Sequence, residues 1–152
     1  MSGRDTSRSE APLTGRCHCG NLELALEASV HPEELSLRAD TCSFCRKHGA
    51  RTTSDPSGRV VITVHHPDEL LRYRFGLETA DFLVCTRCGI YVAAVMSEGA
   101  SSYATVNVDT LDAVDRLTQP ATPVTYEGES AAERSARRRT RWTPAVIVEE
   151  RR

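Results

Sequence analysis

Six cysteines carry most of the chemical information in this sequence, and they fall in three close pairs: Cys17 and Cys19, Cys42 and Cys45, Cys85 and Cys88. Six inert buried thiols would not cluster two by two. Disulfides account for them poorly. A C-x-C pair closes a strained ring, and Met1 to Glu10 is polar and charged, without the apolar run of an export signal. A reducing, cytoplasmic compartment is therefore expected, where structural bridges are rare. Metal binding suits the spacing better. Zinc takes four thiolate or imidazole ligands in a tetrahedron, and a C-x-C or C-x-x-C turn presents two sulfurs to one side of it. Six sulfurs do not divide into complete four-ligand sites. The remainder suggests one closed structural site and one incomplete site finished by other groups or by water. An open coordination position is what separates a catalytic zinc from a structural one.

The elements that must position these sulfurs read as short strands. From Asn21 the chain alternates, with Leu22, Leu24 and Leu26 on one face and Glu23 and Glu27 on the other, the period of a half-buried antiparallel strand. Similar runs follow at Leu35–Arg38, Val60–Val64, Leu71–Phe75, Asp81–Val84, Ile90–Met96 and Tyr103–Val108. Turn residues separate them, as in Asp55-Pro56-Ser57-Gly58, His66-Pro67-Asp68 and Glu98-Gly99. Many short strands without long intervening helices predict a mainly β fold. Val124-Thr125-Tyr126 is a further short strand candidate between Pro123 and the polar segment beyond. Ser130-Ala131-Ala132-Glu133 then fits a capping box, and the Ala-, Glu- and Arg-rich segment from Ala131 to about Thr140 predicts a short C-terminal helix. Its arginines, Arg134, Arg137, Arg138, Arg139 and Arg141, read as a solvated helix face in preference to an anion or nucleic-acid patch.

Length and composition bound the function. A chain of 152 residues makes one domain, expected over residues 13–148, with tails over 1–12 and 149–152. No stretch approaches the roughly 20 apolar residues of a membrane span. A net charge of −2 argues against a nucleic-acid binder that works by bulk charge. Three Phe, four Tyr and one Trp leave little for a base-stacking platform.

Spacing alone does not say which cysteine pairs share a metal. Here the sequence resembles the glutathione-dependent formaldehyde-activating enzyme family, also called the CENP-V/GFA domain. The resemblance rests on Gly15-Arg16-Cys17-His18-Cys19-Gly20, on Cys42-Ser43-Phe44-Cys45-Arg46-Lys47-His48-Gly49 and on Cys85-Thr86-Arg87-Cys88-Gly89. Val106-Asn107-Val108 and Thr110-Leu111-Asp112 resemble the family's downstream segment. The resemblance spans about Gly15 to Pro144. It implies a β-tent of short antiparallel strands stapled by zinc, with a structural zinc on Cys17, Cys19, Cys85 and Cys88. It further implies a second zinc, the seat of the proposed chemistry, held in the family by a C-x-C-x-x-C. Cys42 and Cys45 match its second and third members, whereas the first position is Asp40.

A carboxylate oxygen can bind zinc at about 2.0–2.2 Å, so Asp40 either replaces the missing thiolate or points to solvent and leaves a weak site. His48, three residues after Cys45, could also complete a site, although a surface role is the simpler reading. Ser43 could hydrogen-bond a thiolate. His18 reads as a turn residue, and His65-His66 receive no role. Phe44 and Tyr91 read as core packing before pocket walls.

The activity implied by the resemblance is that of a carbon–sulfur lyase: reversible addition of formaldehyde, or a related aldehyde, to the thiol of glutathione or another thiol, giving an S-hydroxymethyl adduct. Arg46 and Lys47, beside the second site, could attract the carboxylates of such a small-molecule thiol. The alternative is a non-catalytic zinc module for a protein or nucleic-acid partner. A thiol redox enzyme of similar shape would require Cys42 and Cys45 to be free of metal.

Overall fold

Alternation of apolar and polar side chains builds most of this molecule. The structure, a computed structural model, describes residues 11–150; residues 1–10 and 151–152 of the two expected tails lie outside them. Strands β1 (Leu13–Arg16) and β2 (Leu22–Glu27) form an antiparallel hairpin, each with every second side chain buried. β2 pairs next with β5 (Arg59–Val64). The register sets Leu22 opposite Val64, Leu24 opposite Ile62 and Leu26 opposite Val60, all six buried. Full burial of one such side chain contributes about 1.5–3 kcal/mol, so a one-residue slip, which exposes the whole row, is strongly disfavoured.

The sheet continues through β11 (Thr143–Glu149), β9 (Ser101–Asn107), β4 (Thr52–Thr53), β3 (Leu37–Asp40) and β10 (Ala121–Val124), in the order β1-β2-β5-β11-β9-β4-β3-β10. On its other side β9 pairs with β8 (Tyr91–Glu98), which carries β7 (Asp81–Cys85) and β6 (Leu70–Tyr73). Residues Tyr91 to Met96 of β8 are all buried, which makes this strand the middle of the molecule. β11 joins the two parts: Thr143 and Pro144 face β9, while Ala145 to Glu149 run parallel to β5. The protein is mainly β and rich in antiparallel pairs, as expected. The parallel pairings, β11 with β5 and β10 with β3, join segments distant in sequence. The amide of Glu150 still donates to the Val64 carbonyl, so order extends into the segment expected as a tail.

Two α-helices position chemistry. α1 (Ser43–His48) was not foreseen from sequence; its N-cap is Cys42, and it ends at Gly49 in the left-handed conformation (φ 62°). α2 (Ala131–Arg141) begins in the expected capping box. The Glu133 amide donates to Ser130 Oγ at 3.1 Å, and the Ser130 amide donates to Glu133 Oε1 at 2.8 Å. Behind α2, Trp142 packs with Ala80, Ala94 and Met96 in a small apolar cluster apart from the main core.

Candidate functional site

Two turns bring four sulfurs together. After β1, Cys17-His18-Cys19-Gly20 folds back so that the Gly20 amide donates to the Cys17 carbonyl, with Gly20 at φ +87°. After β7, Cys85-Thr86-Arg87-Cys88-Gly89 does the same, the Gly89 amide donating to the Cys85 carbonyl at 2.8 Å with φ +81°. Only glycine enters this region without a steric penalty. Asn21 braces the turns: its Nδ2 donates to the carbonyls of His66 and Glu69, and its Oδ1 accepts from the His66 amide.

The sulfurs of Cys17, Cys19, Cys85 and Cys88 all lie within 4.8 Å of one another, and they are free thiols. Cys17 Sγ stands 3.8 Å from Cys19 Sγ, which stands 3.5 Å from Cys85 Sγ. Four sulfurs at about 2.3 Å around a tetrahedral ion stand about 3.8 Å apart, so this group has the dimensions to hold a metal ion. Amide donors favour the thiolate form: the Leu22 amide donates to Cys17 Sγ at 3.3 Å. Burial still pushes the Cys17 thiol up to about 12, helped by the thiols of Cys88 and Cys19. Cys88 is held down at about 6; burial opposes this, and the amides of Cys19 and Ile90 with the thiols of Cys85 and Cys17 outweigh it. A thiolate and a thiol in contact is the pattern of sulfurs sharing protons that a cation would displace.

A second group, Asp40, Cys42 and Cys45, also has its ligand atoms within 4.8 Å of one another. Asp40 ends β3, and its Oδ1 accepts from the Cys42 amide at 2.9 Å, which turns its carboxylate back toward the cysteines. Cys42 caps α1, its sulfur accepting from the Cys45 amide at 3.4 Å. The Cys45 thiol lowers Cys42 to about 7 against the effect of burial, while that same contact and burial push Cys45 far up. Two sulfurs and a carboxylate, all within the six residues Asp40 to Cys45, thus converge around a single helix start.

This group forms part of the wall of a cavity of about 190 Å³. Phe75, Phe82 and Tyr91 supply an aromatic wall, with Phe82 4.7 Å from Phe75 and 5.8 Å from Tyr91 between ring centroids. Tyr91 is fully buried, and that burial holds its hydroxyl protonated well above the ordinary range. Phe44 packs behind, 4.9 Å from Tyr91 and 4.8 Å from Phe82.

Four arginines complete the lining: Arg38 of β3 and Arg134, Arg137 and Arg138 of α2. The solvated helix face expected from sequence therefore holds for Arg139 and Arg141, which are exposed, but not for these three. Residues three and four apart share one helix face, and α2 turns that face inward. Arg134 and Arg137 are paired with Glu129 at 3.4 and 2.8 Å, and Arg137 lies over the Tyr126 ring. Arg38 donates to the hydroxyls of Ser54 and Thr105 at 2.7 and 3.0 Å. Arg138, 6% exposed, donates to Thr79 Oγ1 at 2.7 Å, lies over the Trp142 ring, and keeps a buried Nε without a partner. Burial lowers Arg38, and burial together with Arg137 and Arg134 lowers Arg138 to about 10.

The other sequence candidates stand apart. Arg46 and Lys47 are exposed on the last turn of α1 and do not line the cavity. His48 packs against Phe44 at 4.4 Å and is outside the Asp40 group. Ser43 and His18 are exposed. His65 bridges Glu23 and Glu150 on the surface at 2.7 and 2.8 Å. The cavity arginines were missed, although the spacing of 134, 137 and 138 was a signal of one face.

No curated protein matches the chain. A crystal structure of a Rhodobacter sphaeroides protein, a structural-genomics target, is similar at a TM-score of 0.55 and 30% identity, over 74% of this chain and 100% of that one. The sequence profile of the glutathione-dependent formaldehyde-activating enzymes matches residues 12–127, a span that holds both cysteine groups and stops before α2. The chain belongs to the glutathione-dependent formaldehyde-activating enzyme family.

Proposed function

We propose that the protein is a zinc-dependent, carbon–sulfur lyase-like enzyme that forms or cleaves an S-hydroxymethyl thiol adduct. Cys17, Cys19, Cys85 and Cys88 would hold a structural zinc, and Asp40, Cys42 and Cys45 a second. The observation that carries the reading is the position of the second group: three ligands, not four, in the wall of a cavity. Zinc bound there supplies Lewis acidity, favouring a thiolate near neutral pH or polarising an aldehyde carbonyl.

The chain's own residues do the rest. In the forward direction the thiolate sulfur attacks the aldehyde carbon, a C–S bond forms, and the carbonyl π pair moves to oxygen, which takes up the proton lost by the thiol. No electrons leave or enter. The aromatic wall of Phe75, Phe82 and Tyr91 keeps bulk water from the reacting atoms, which strengthens every charge interaction in the cavity. Asp40, held by the Cys42 amide, orients the loop that carries both sulfurs. Arg134, Arg137 and Arg138 face this cavity, so the basic character of α2 supports a small anionic ligand over a nucleic-acid surface.

Exchange of formaldehyde with a panel of thiols, followed by NMR, tests the activity: the protein accelerates the exchange with at least one thiol. No acceleration with any of them contradicts the lyase reading and favours a non-catalytic metal module.

A further inference from the structure

Two cations of the cavity wall, the half-buried Arg38 and the buried Arg138, touch no carboxylate among the described residues. Arg38 and Arg138 are each met by hydroxyls alone: Ser54 and Thr105 for the first, Thr79 for the second. Neither forms an ion pair among the described residues, whereas their neighbours Arg134 and Arg137 are both matched by Glu129. Taking an ion out of water is costly unless a partner compensates. Two guanidiniums kept at a cavity wall on neutral hydroxyl acceptors, one with a stranded Nε, therefore form a site suited to an anion that the described residues do not pair with them. Of the acidic lining, Glu127 is exposed and Asp40 is turned toward Cys42.

The geometry also restricts the size of that anion. Arg38 and Asp40 are alternate residues of β3 and so leave the strand on one face, about 7 Å apart along the backbone. A cavity of about 190 Å³ is smaller than the roughly 300–1,000 Å³ typical of drug-sized ligands. A guanidinium matches a carboxylate through paired N–H donors.

We infer that Arg38 and Arg138 form a carboxylate subsite, so that the thiol processed here is a compact mercapto-carboxylic acid, with its sulfur toward Asp40, Cys42 and Cys45 and its carboxylate on the two arginines. The sulfur end rests on the lyase reading; the anion end does not. Arg38 lies within the family-matched span of residues 12–127, and the helix that supplies Arg138 follows it.

Trp142, the sole tryptophan, lines the cavity with the Arg138 guanidinium 4.7 Å over its ring, and its fluorescence reports binding directly. In titrations of the intact protein, 3-mercaptopropionate binds at least about tenfold more tightly than uncharged 2-mercaptoethanol, as expected for a charge-assisted contact. Propionate, which lacks the thiol, competes with it, and glutathione binds no more tightly. In Arg38→Gln and in Arg138→Gln the preference for the acid falls toward unity. A preference near unity in the wild type, an unchanged preference in both variants, or much tighter binding of glutathione overturns the proposal. Should Arg138→Gln fail to fold, Arg38→Gln and the propionate competition decide. Selective binding without any formaldehyde exchange leaves the subsite standing and overturns the lyase reading alone.

Discussion

Cys19 Sγ and Cys85 Sγ lie 3.5 Å apart although 66 residues separate them. The contact ties the β1–β2 turn to the end of β7 and so closes a long loop of the chain. Such closure is entropically costly for a free chain, and burial pushes the Cys17 thiol up, so a cation bound here would displace its proton.

If these four cysteines hold a structural zinc, as proposed, removing one of them is expected to unfold the domain. Structural zinc contributes on the order of 10 kcal/mol in small domains, as much as the whole stability of an ordinary one. Cys17→Ala and Cys88→Ala lose cooperative thermal unfolding by circular dichroism, and a strong chelator does the same to the wild type. A cooperative transition that survives both variants and the chelator contradicts the structural role.

Two of the cysteine pairs were legible in the sequence because each is local, Cys17 with Cys19 and Cys85 with Cys88 sitting in turns closed by Gly20 and Gly89; that these two pairs meet was implied only by the family resemblance. β2 was legible from its strict alternation, and α2 from Ser130 and Glu133. What stayed hidden depends on distant partners. β11 begins at Thr143-Pro144, and a proline argues against a strand; it forms because Ala145 to Glu149 find β5 some eighty residues earlier. α1 is six residues long and capped by a cysteine, which gives no periodicity to read. The inward turn of Arg38 rests on Ser54 and Thr105, neither near it in sequence.

Gly15 illustrates a constraint of the same non-local kind. A Cβ at this position would stand 2.4 Å from the Thr110 carbonyl oxygen, where β1 meets the chain at Leu111. Gly15→Ala forces the two backbones apart and costs about 1–3 kcal/mol, read as a lower urea midpoint. An unchanged midpoint would show that the Thr110 segment moves freely.

The surface cluster at His65 predicts a pH dependence. Its bonds to Glu150 and then Glu23 raise its pKa above 6.5, so folding favours the protonated ring. The resulting stability is complete below the unfolded-state value of about 6.5 and is lost as pH rises through the higher folded-state value. All three side chains are partly exposed, so the effect is small and weakened by salt. Urea melts of wild type and His65→Gln differ most on the acidic side of this window and converge on the alkaline side. A difference that is constant with pH removes the cluster as the cause.

Metal at both cysteine groups is tested most directly by the zinc content per purified chain. Two zinc per chain are expected, one remaining in Asp40→Ala and two, more tightly held, in Asp40→Cys. A chain that folds with no zinc contradicts the account outright, and an equal count in wild type and Asp40→Ala contradicts the assignment of Asp40 as a ligand.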